Sequence, residues 1–333
     1  MKIAFINNFT IVIPTNGIKT QAMMWKKGLE ERGHEVTLIE PWKTNDWREY
    51  DYIIIFKYGT ALYEYVRTIA PLNPNIVLAP IIDSNYSPRL FYFTCKYLKV
   101  DALRLRSNYS DLYKIKDQIK LYLVRSKYEK RFITEGLGIT EERVRIIPLS
   151  SRLPLSENKQ PKENFCLHVS ILDDERKNVK KLIAAAAKYR FELKLAGYIH
   201  EPQKFLKGIA PYPNIEYVGF LSDEELCQYY QRAKVFALPS TYEGVGMAAL
   251  EAASYGCDIV MTNIGAPKEY YKGLAYLVNP NDVDDIGKSV LKAMEHSNQP
   301  TLQEYIISCK VSSQTSWQLS DCQHRLQPSY PQK

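Results

Sequence analysis

The sequence predicts an α/β protein built from two facing, doubly wound parallel-sheet domains. Three features carry the prediction. Short runs rich in Ile, Val and Phe alternate with longer amphipathic stretches along most of the chain. The alternation passes through the chain twice, divided by a largely polar stretch from Pro148 to Pro161 that holds a third proline, Pro154. Finally, 333 residues are long for one ordinary domain and suit two of about 150 each. Strand–helix alternation implies a parallel sheet covered by helices on both faces. Two such halves leave a cleft between them, the natural ligand site of this architecture.

In the first half the pattern predicts strands at Lys2–Ile6, His34–Ile39, Tyr52–Phe56, Ile76–Pro80, Ala102–Leu105, Tyr122–Val124 and Val144–Ile147. Helices are expected over Gly17–Arg32 and near Ala61–Ile69, Pro88–Leu98, Ser110–Ile119 and Lys127–Glu135. In the first of these, Ile18, Ala22, Trp25 and Leu29 recur near helical spacing. Gly33 then suits the left-handed residue that ends a helix. The second half predicts strands at Phe165–Ile171, Glu192–Ala196, Ile215–Val218, Lys234–Leu238, Ile259–Thr262 and Tyr276–Val278. Its helices are expected at Val179–Tyr189, Asp223–Arg232, Met247–Tyr255 and Val283–Met294. The stretch Pro148–Pro161 reads as a linker. Domains are therefore expected at 1–150 and 151–310, followed by a segment 311–333 whose end, after about Gln327, is polar and poorly ordered.

Apolar residues make up 45% of the chain and charged residues 24%, which allows a core in each half and argues against disorder. The net charge of +7 is uneven: residues 1–150 hold 23 Lys/Arg against 16 Asp/Glu, and the remainder holds 21 of each. An acidic partner would meet the first half first, although a solvated basic face has the same composition. The densest stretch, Arg104 to Arg131, has nine basic and three acidic residues interleaved with Tyr109, Tyr113, Tyr122 and Tyr128. It suits peripheral contact with an anionic membrane carrying a lipid-linked acceptor. Nucleic acid is not expected, because no motif for it is visible. The six cysteines include no C-x-x-C pair, so neither a disulfide framework nor a zinc site is expected, and a reducing cytosol is the simplest compartment. Asn7 and Asn8 interrupt the apolar start, which reads as a first strand rather than a signal peptide. No apolar run of about 18 residues is present to span a membrane, so the expected location is cytoplasmic, with the inner membrane face as a peripheral site.

The most informative segment is Pro239-Ser-Thr-Tyr-Glu243-Gly-Val-Gly246-Met-Ala-Ala-Leu-Glu251-Ala. It follows an apolar strand and opens a helix, so it lies at the carboxyl end of a parallel strand, where open sheets bind ligands. Gly244 and Gly246 let the backbone approach a ligand closely. Met247 and Ala248 begin the helix, and their N–H groups suit an anion such as a diphosphate. Glu243 and Glu251 stand eight positions apart. As hydrogen-bond acceptors they suit two polyols at once, for instance a hexose and a ribose.

Glu243 and Glu251 resemble the E-x7-E motif of glycosyltransferase family 4, whose members have the GT-B fold of two Rossmann-like domains. The surroundings are similar too. Asn214-Ile-Glu-Tyr-Val-Gly-Phe-Leu-Ser222 resembles that family's strand and "G-F" turn, Ala233-Lys-Val-Phe-Ala-Leu-Pro-Ser240 its strand before the motif, and Gly265-Ala-Pro-Lys-Glu269 its later donor-side loop. The resemblance covers residues 165–295 and, more weakly, the first 45. It implies that Glu243 contacts the donor sugar and Glu251 the ribose. Gly244, Val245, Gly246, Met247 and Ala248 would offer backbone N–H groups to sugar and diphosphate. Lys177, in Glu175-Arg-Lys-Asn178, falls where the family keeps a lysine for the diphosphate, and Gly17 in the glycine-containing loop after the first strand. The implied reaction moves a hexose-type sugar from a nucleotide-diphosphate sugar to a glycan, lipid-linked or small-molecule acceptor. It proceeds with retention of configuration and with neither a metal nor a further cofactor. Three features differ from the family: Ile171 stands where an Arg is usual, with Arg176 as the nearby substitute; the first-strand loop reads Asn16-Gly17 where Gly-Gly is common; and Ile82-Asp83 stands roughly where a His-Asp pair is expected, with no His between 35 and 167.

Other readings of the same residues are available. Gly244-Val-Gly246-Met-Ala-Ala249 mimics a dinucleotide fingerprint, but the following strand ends at Met261-Thr-Asn263 without the acid that fingerprint needs. Asp282-Val-Asp284-Asp285 contains D-x-D, yet acidic residues belong at a helix start, and no metal site is expected. Arg176 and Lys177 are expected in the first turn of a helix, where they oppose its dipole unless an anion is bound. His168 lies inside a strand and reads as a satisfied core residue. Trp317 resembles the "S-W" that opens the family's last helix, which crosses back to the first domain. Two rivals to a transferase remain: a sugar-nucleotide-binding protein without turnover, and a nucleotide-sugar epimerase of similar fold.

Overall fold

The structure, a computed structural model, describes residues 1–7, 17–40, 42–59, 61–82, 87–97, 108–149, 151–154, 161–271, 273–297 and 302–306. Twelve strands among them form two six-stranded sheets, parallel throughout. The first sheet holds β1 (Lys2–Asn7), β2 (Glu35–Leu38), β3 (Tyr52–Phe56), β4 (Ile76–Ala79), β5 (Leu121–Val124) and β6 (Val144–Ile146) in the order β2-β1-β3-β4-β5-β6. Helices α1 (Gly17–Glu30), α2 (Leu62–Ile69), α3 (Pro88–Tyr97), α4 (Asn108–Ile115) and α5 (Lys127–Arg131) accompany it. The second sheet holds β7 (Glu163–Val169), β8 (Glu192–Ala196), β9 (Ile215–Gly219), β10 (Ala233–Leu238), β11 (Asp258–Thr262) and β12 (Tyr276–Val278) in the order β12-β11-β10-β7-β8-β9. Its helices are α6 (Val179–Tyr189), α7 (Pro202–Ile209), α8 (Asp223–Arg232), α9 (Met247–Ser254), α10 (Ala266–Tyr270) and α11 (Val283–Glu295).

The strand sequences account for the layering. In β3, Ile53 and Ile55 enter one core cluster while Tyr52, Ile54 and Phe56 enter another. Likewise Val235 and Ala237 of β10 face one cluster, and Phe236 and Leu238 the other. Side chains alternate between faces along a strand. A run with no polar interruption therefore needs cover on both sides, and helices supply it. The strand order reverses at β1/β3 in the first sheet and at β7/β10 in the second. Ligands of open α/β sheets bind at such switch points, outside the carboxyl ends of the strands.

The predicted doubly wound architecture is the one found, with most element bounds within two residues of expectation. The strand expected at Ala102–Leu105, the role given to Trp317, the segment 311–333 and its disordered end all lie outside the described residues. The single helix expected near Lys127–Glu135 is instead α5 followed by a π turn at Phe132–Gly136. α7 and α10 were not expected.

The described residues at the start of the supposed linker are more tightly held than its composition suggests. Leu149 and Leu153 are buried in the core of the second domain. The Leu149 N–H donates to the Tyr270 hydroxyl at 2.8 Å. Residues 302–306 lie on the same core through Leu302 and Ile306. The domains also meet directly: Glu269 of α10 accepts from the N–H of Lys127, first residue of α5, at 2.9 Å. Among the described residues no helix is long and apolar enough to cross a membrane.

Candidate functional site

At the β7/β10 switch point, the loops leaving the two strands are tied together by backbone and amide contacts. After β7, a short turn at Glu175–Lys177 is capped by Asp174, and Asn178 then adopts a left-handed conformation (φ 58°). The Asn178 amide donates to the carbonyls of Pro239 at 2.9 Å and Pro280 at 2.7 Å. The Thr241 N–H donates to the Arg176 carbonyl at 2.8 Å. These contacts bring Lys177 of one loop to Glu243 of the other, with Nζ to Oε2 at 2.7 Å. The Ser240 hydroxyl donates to the same carboxylate oxygen at 3.2 Å. Glu243 is further fixed by a parallel bridge to Gly265.

Arg176 is not brought to Glu243. Its guanidinium binds Asp174 (Nη2 to Oδ2, 2.5 Å) and lies over the Tyr242 ring. Nor do Arg176 and Lys177 occupy the first turn of α6. They sit in the separate turn before Asn178, which breaks the chain direction. The expectation that they oppose that helix's dipole is therefore corrected. What holds Lys177 in place is the carboxylate of Glu243.

The glycine loop leads into α9. Gly246 caps it with φ 77°, and a Cβ there would lie 2.3 Å from Met261 Cε. Gly244 is buried. Val245 sends its side chain into the core, so only its backbone is available to a ligand. The Tyr271 hydroxyl donates to the carbonyls of Val245 and Gly246, at 3.1 and 3.3 Å, and holds the loop from beneath. Met247 and Ala248 are half-buried first-turn residues of α9. Their N–H groups have no partner within the helix and sit at its positive end. Across from them is Gly17, the first residue of α1: a Cβ on it would lie 4.0 Å from Met247 Sδ. Gly17, at the start of α1, and the first turn of α9 after the β10 loop thus meet in space.

Glu251 lies in the second turn of α9 and is only 4% exposed. Arg152 Nε is 2.7 Å from its Oε1, and the Tyr230 hydroxyl donates to Oε2 at 3.3 Å. Burial pushes its pKa up to about 7, against the opposing pull of the Arg152 guanidinium. Arg152 also binds both oxygens of Asp223 at 2.6 Å. It was not singled out in the sequence, because an isolated arginine in a polar connecting stretch has no spacing that marks it.

Other positions settle as follows. His168 is buried, with Nδ1 2.7 Å from the Ala237 carbonyl and Nε2 2.7 Å from the Ser170 hydroxyl; burial lowers its pKa to about 4. It is a satisfied core residue, as expected. Asp282 caps α11 by accepting from the N–H groups of Asp284 and Asp285, Asp285 accepts from the Asn279 N–H, and Asp284 pairs with Lys188. This is the helix start that was read. Among the described residues no group of three His, Cys, Asp or Glu is placed to hold a metal ion. Where a first-domain His is usual, Ile82 is buried. Its N–H donates to Glu129, which is paired with Arg125 in a buried contact.

Of the basic stretch Arg104 to Arg131, Arg104 and Arg106 lie outside the described residues, and the described basic residues do not share one face. Lys120 bonds Asn75 at the amino end of β5. Arg125 is buried beyond its carboxyl end. Lys127 stands at the domain junction, and Lys130 pairs with Glu141. One further position escaped the sequence reading: Gly197 (φ 132°), where a Cβ would lie 1.8 Å from the Ser170 carbonyl oxygen. A glycine after a strand leaves too common a signal to find it.

Residues 152–307 match the family model described as glycosyl transferases group 1. The match falls on the second domain. The O-antigen chain mannosyltransferase B of Escherichia coli is 26% identical over 226 residues, 61% of this chain and 58% of that protein. The MMP alpha-(1->4)-mannosyltransferase of Mycolicibacterium hassiacum is 29% identical over 181 residues, 51% of this chain and 44% of that one. The chain thus spans about half the length of these relatives. The sucrose-phosphate synthase of Thermosynechococcus elongatus superposes with a TM-score of 0.72 at 15% identity, covering 98% of this chain and 100% of that one. WaaG, a glycosyltransferase involved in lipopolysaccharide biosynthesis, superposes at 0.59 with 14% identity and the same coverage. These likenesses establish the GT-B fold for the chain. The matched residues include the Lys177–Glu243 pair, the glycine loop, α9 and Glu251, and Gly17 comes from the domain that faces them.

Proposed function

We propose that this chain is a retaining family 4 glycosyltransferase that moves a hexosyl group, with mannosyl as the first choice, from a nucleotide-diphosphate sugar to a glycan, lipid-linked or small-molecule acceptor. The observation that carries the reading is the Lys177–Glu243 pair, which lies on the loops of the β7/β10 switch point, with Glu243 on the loop that opens α9. A cation and a helix N-terminus on adjoining loops suit a diphosphate. A carboxylate beside them suits the hydroxyls of the attached sugar. The names of the matched relatives favour mannose.

In this reading Glu243 and Glu251 act as the E-x7-E pair, one on the donor sugar and one on the ribose. As the diphosphate leaves, negative charge grows on its oxygens. Lys177 and the N–H groups of Met247 and Ala248 stabilise that charge, a contribution that is commonly the largest in catalysis. Arg176, held by Asp174, adds longer-range positive potential rather than a direct contact. No metal is required. Gly17 lets the first domain approach the donor, and cleft closure excludes water that would otherwise accept the sugar.

The deciding experiment incubates the intact chain with GDP-mannose, UDP-glucose and UDP-GlcNAc in turn and follows release of the nucleoside diphosphate. Release with one donor, with an α-linked product by NMR from an α-donor, supports transfer with retention. Tight binding without release leaves a binding protein, and a changed sugar on an intact donor identifies an epimerase. An anionic lipid surface would meet the first domain, which carries the whole net charge. Sedimentation with anionic vesicles at low salt tests that contact, since salt screens it within roughly 10 Å at about 0.1 M.

A further inference from the structure

Arg152 stands in the segment that joins the two domains, yet its side chain is committed to the second. Its guanidinium spans two carboxylates, with Nε on Glu251 at 2.7 Å and Nη1 on both oxygens of Asp223 at 2.6 Å. Asp223 is the first residue of α8, and its position is fixed by a reciprocal cap: the Ser222 N–H donates to Glu225 at 2.8 Å and the Glu225 N–H to Ser222 Oγ at 3.3 Å. The same helix supplies Tyr230, whose hydroxyl reaches the other oxygen of Glu251. α8 therefore determines both the anchor for Arg152 and the second partner of Glu251. Tyr255, beyond the end of α9, adds a hydroxyl that is engaged with Cys227 at 3.0 Å.

We propose that Arg152 is a positioning residue, which orients the Glu251 carboxylate for the ribose hydroxyls of a nucleoside diphosphate donor and favours its ionised form. The inference rests on the proposed role of Glu251 as the ribose acceptor. An ionised carboxylate offers about four acceptor sites. Arg152 and Tyr230 occupy two of them, which leaves capacity for two hydroxyls. Burial alone favours the protonated form. A protonated carboxyl would present a donor where the ribose needs an acceptor. Arg152 is the cation in contact with Glu251, and it opposes that protonation. Asp223 anchors the other side of the guanidinium.

The test is a calorimetric titration of the intact chain with GDP and UDP and with their 2′,3′-dideoxy counterparts, from pH 6 to pH 9. The unsubstituted chain is expected to prefer whichever ribonucleotide it binds over its dideoxy form by about tenfold or more, as for a hydrogen bond to a charged group. In Arg152→Gln that preference collapses at pH 7 and returns as the pH rises, while dideoxy affinity stays constant. Arg152→Lys keeps part of it. Asp223→Asn releases the far side of the Arg152 guanidinium and is expected to narrow the preference at pH 9, where Glu251 is ionised in either protein, and it carries the test if Arg152→Gln fails to fold. Equal weakening of ribo and dideoxy binding, or an unaltered ratio in both Arg152→Gln and Asp223→Asn, overturns the inference. An unsubstituted chain that binds both nucleotide forms equally overturns the ribose role of Glu251 itself, and the inference with it.

Discussion

The Lys177 ammonium and the Glu243 carboxylate are 2.7 Å apart, although 66 residues separate them in the chain. The pair joins the loops that follow β7 and β10, the two strands at which the second sheet changes direction. Each group satisfies the other. A donor would separate their tasks, giving the diphosphate to Lys177 and the sugar hydroxyls to Glu243.

Lys177→Ala is therefore expected to lower kcat for donor consumption by about 10²–10³, the usual cost of removing one group that stabilises developing charge. The fold should remain, because Lys177 is partly exposed. Steady-state kinetics with circular dichroism as a control checks this. A change confined to KM would show that Lys177 only binds the ground state.

Gly246→Ala is expected to destabilise the second domain by about 1–3 kcal/mol. A left-handed residue is costly for alanine, and the added methyl meets Met261 in a packed core. Gly197→Ala should do more harm, since its Cβ would meet backbone rather than a flexible side-chain end. Thermal unfolding of both variants gives the order, and equal midpoints would contradict it.

The sequence made much of this legible. A run such as Tyr52–Phe56, apolar on both faces, can be read only as a strand covered from both sides. The spacing of Glu243, Gly246 and Glu251 marks a strand, a glycine loop and a helix start in succession. Less visible were contacts made by residues far apart in the chain. Nothing local tells that Arg152 reaches Glu251, or that Arg176 turns to Asp174 while its neighbour Lys177 turns to Glu243. α10 spans five residues, too few for helical periodicity to show. The basic residues from Arg104 to Arg131 read as one patch because adjacency in sequence hides that β5 carries Lys120 and Lys127 to opposite ends of the sheet.

Glu251 gives a pH dependence with a definite sign. Burial raises its folded pKa to about 7 from the ordinary 4.5. Its contribution to stability is then fully present below about pH 4.5 and is lost as pH rises through 7, on the order of 3 kcal/mol in all. Glu251→Gln should remove this slope, so the melting difference between the two proteins should shrink, then reverse, from pH 5 to pH 8. Nucleotide affinity of the unsubstituted chain should rise over the same interval, because the ionised form accepts the ribose hydroxyls. Parallel melting curves would contradict the assignment.

Excess chelator is expected to leave sugar transfer unchanged. The D-x-D carboxylates from Asp282 to Asp285 serve as a helix cap, a backbone acceptor and a partner for Lys188. Turnover lost on chelation and restored by Mn²⁺ or Mg²⁺ would show that a metal takes part.

The most direct test of the central claim is a thermal-shift series with GDP-mannose, UDP-glucose, UDP-GlcNAc and the corresponding nucleoside diphosphates. A ligand at 100 times its dissociation constant stabilises the folded chain by about 2.7 kcal/mol. One donor is expected to raise the melting temperature of the unsubstituted chain, and the double substitution Lys177→Ala and Glu243→Ala to abolish most of that rise. If no nucleotide or nucleotide sugar shifts the chain, or if the doubly substituted chain shifts equally, the loops at the β7/β10 switch point do not hold the donor.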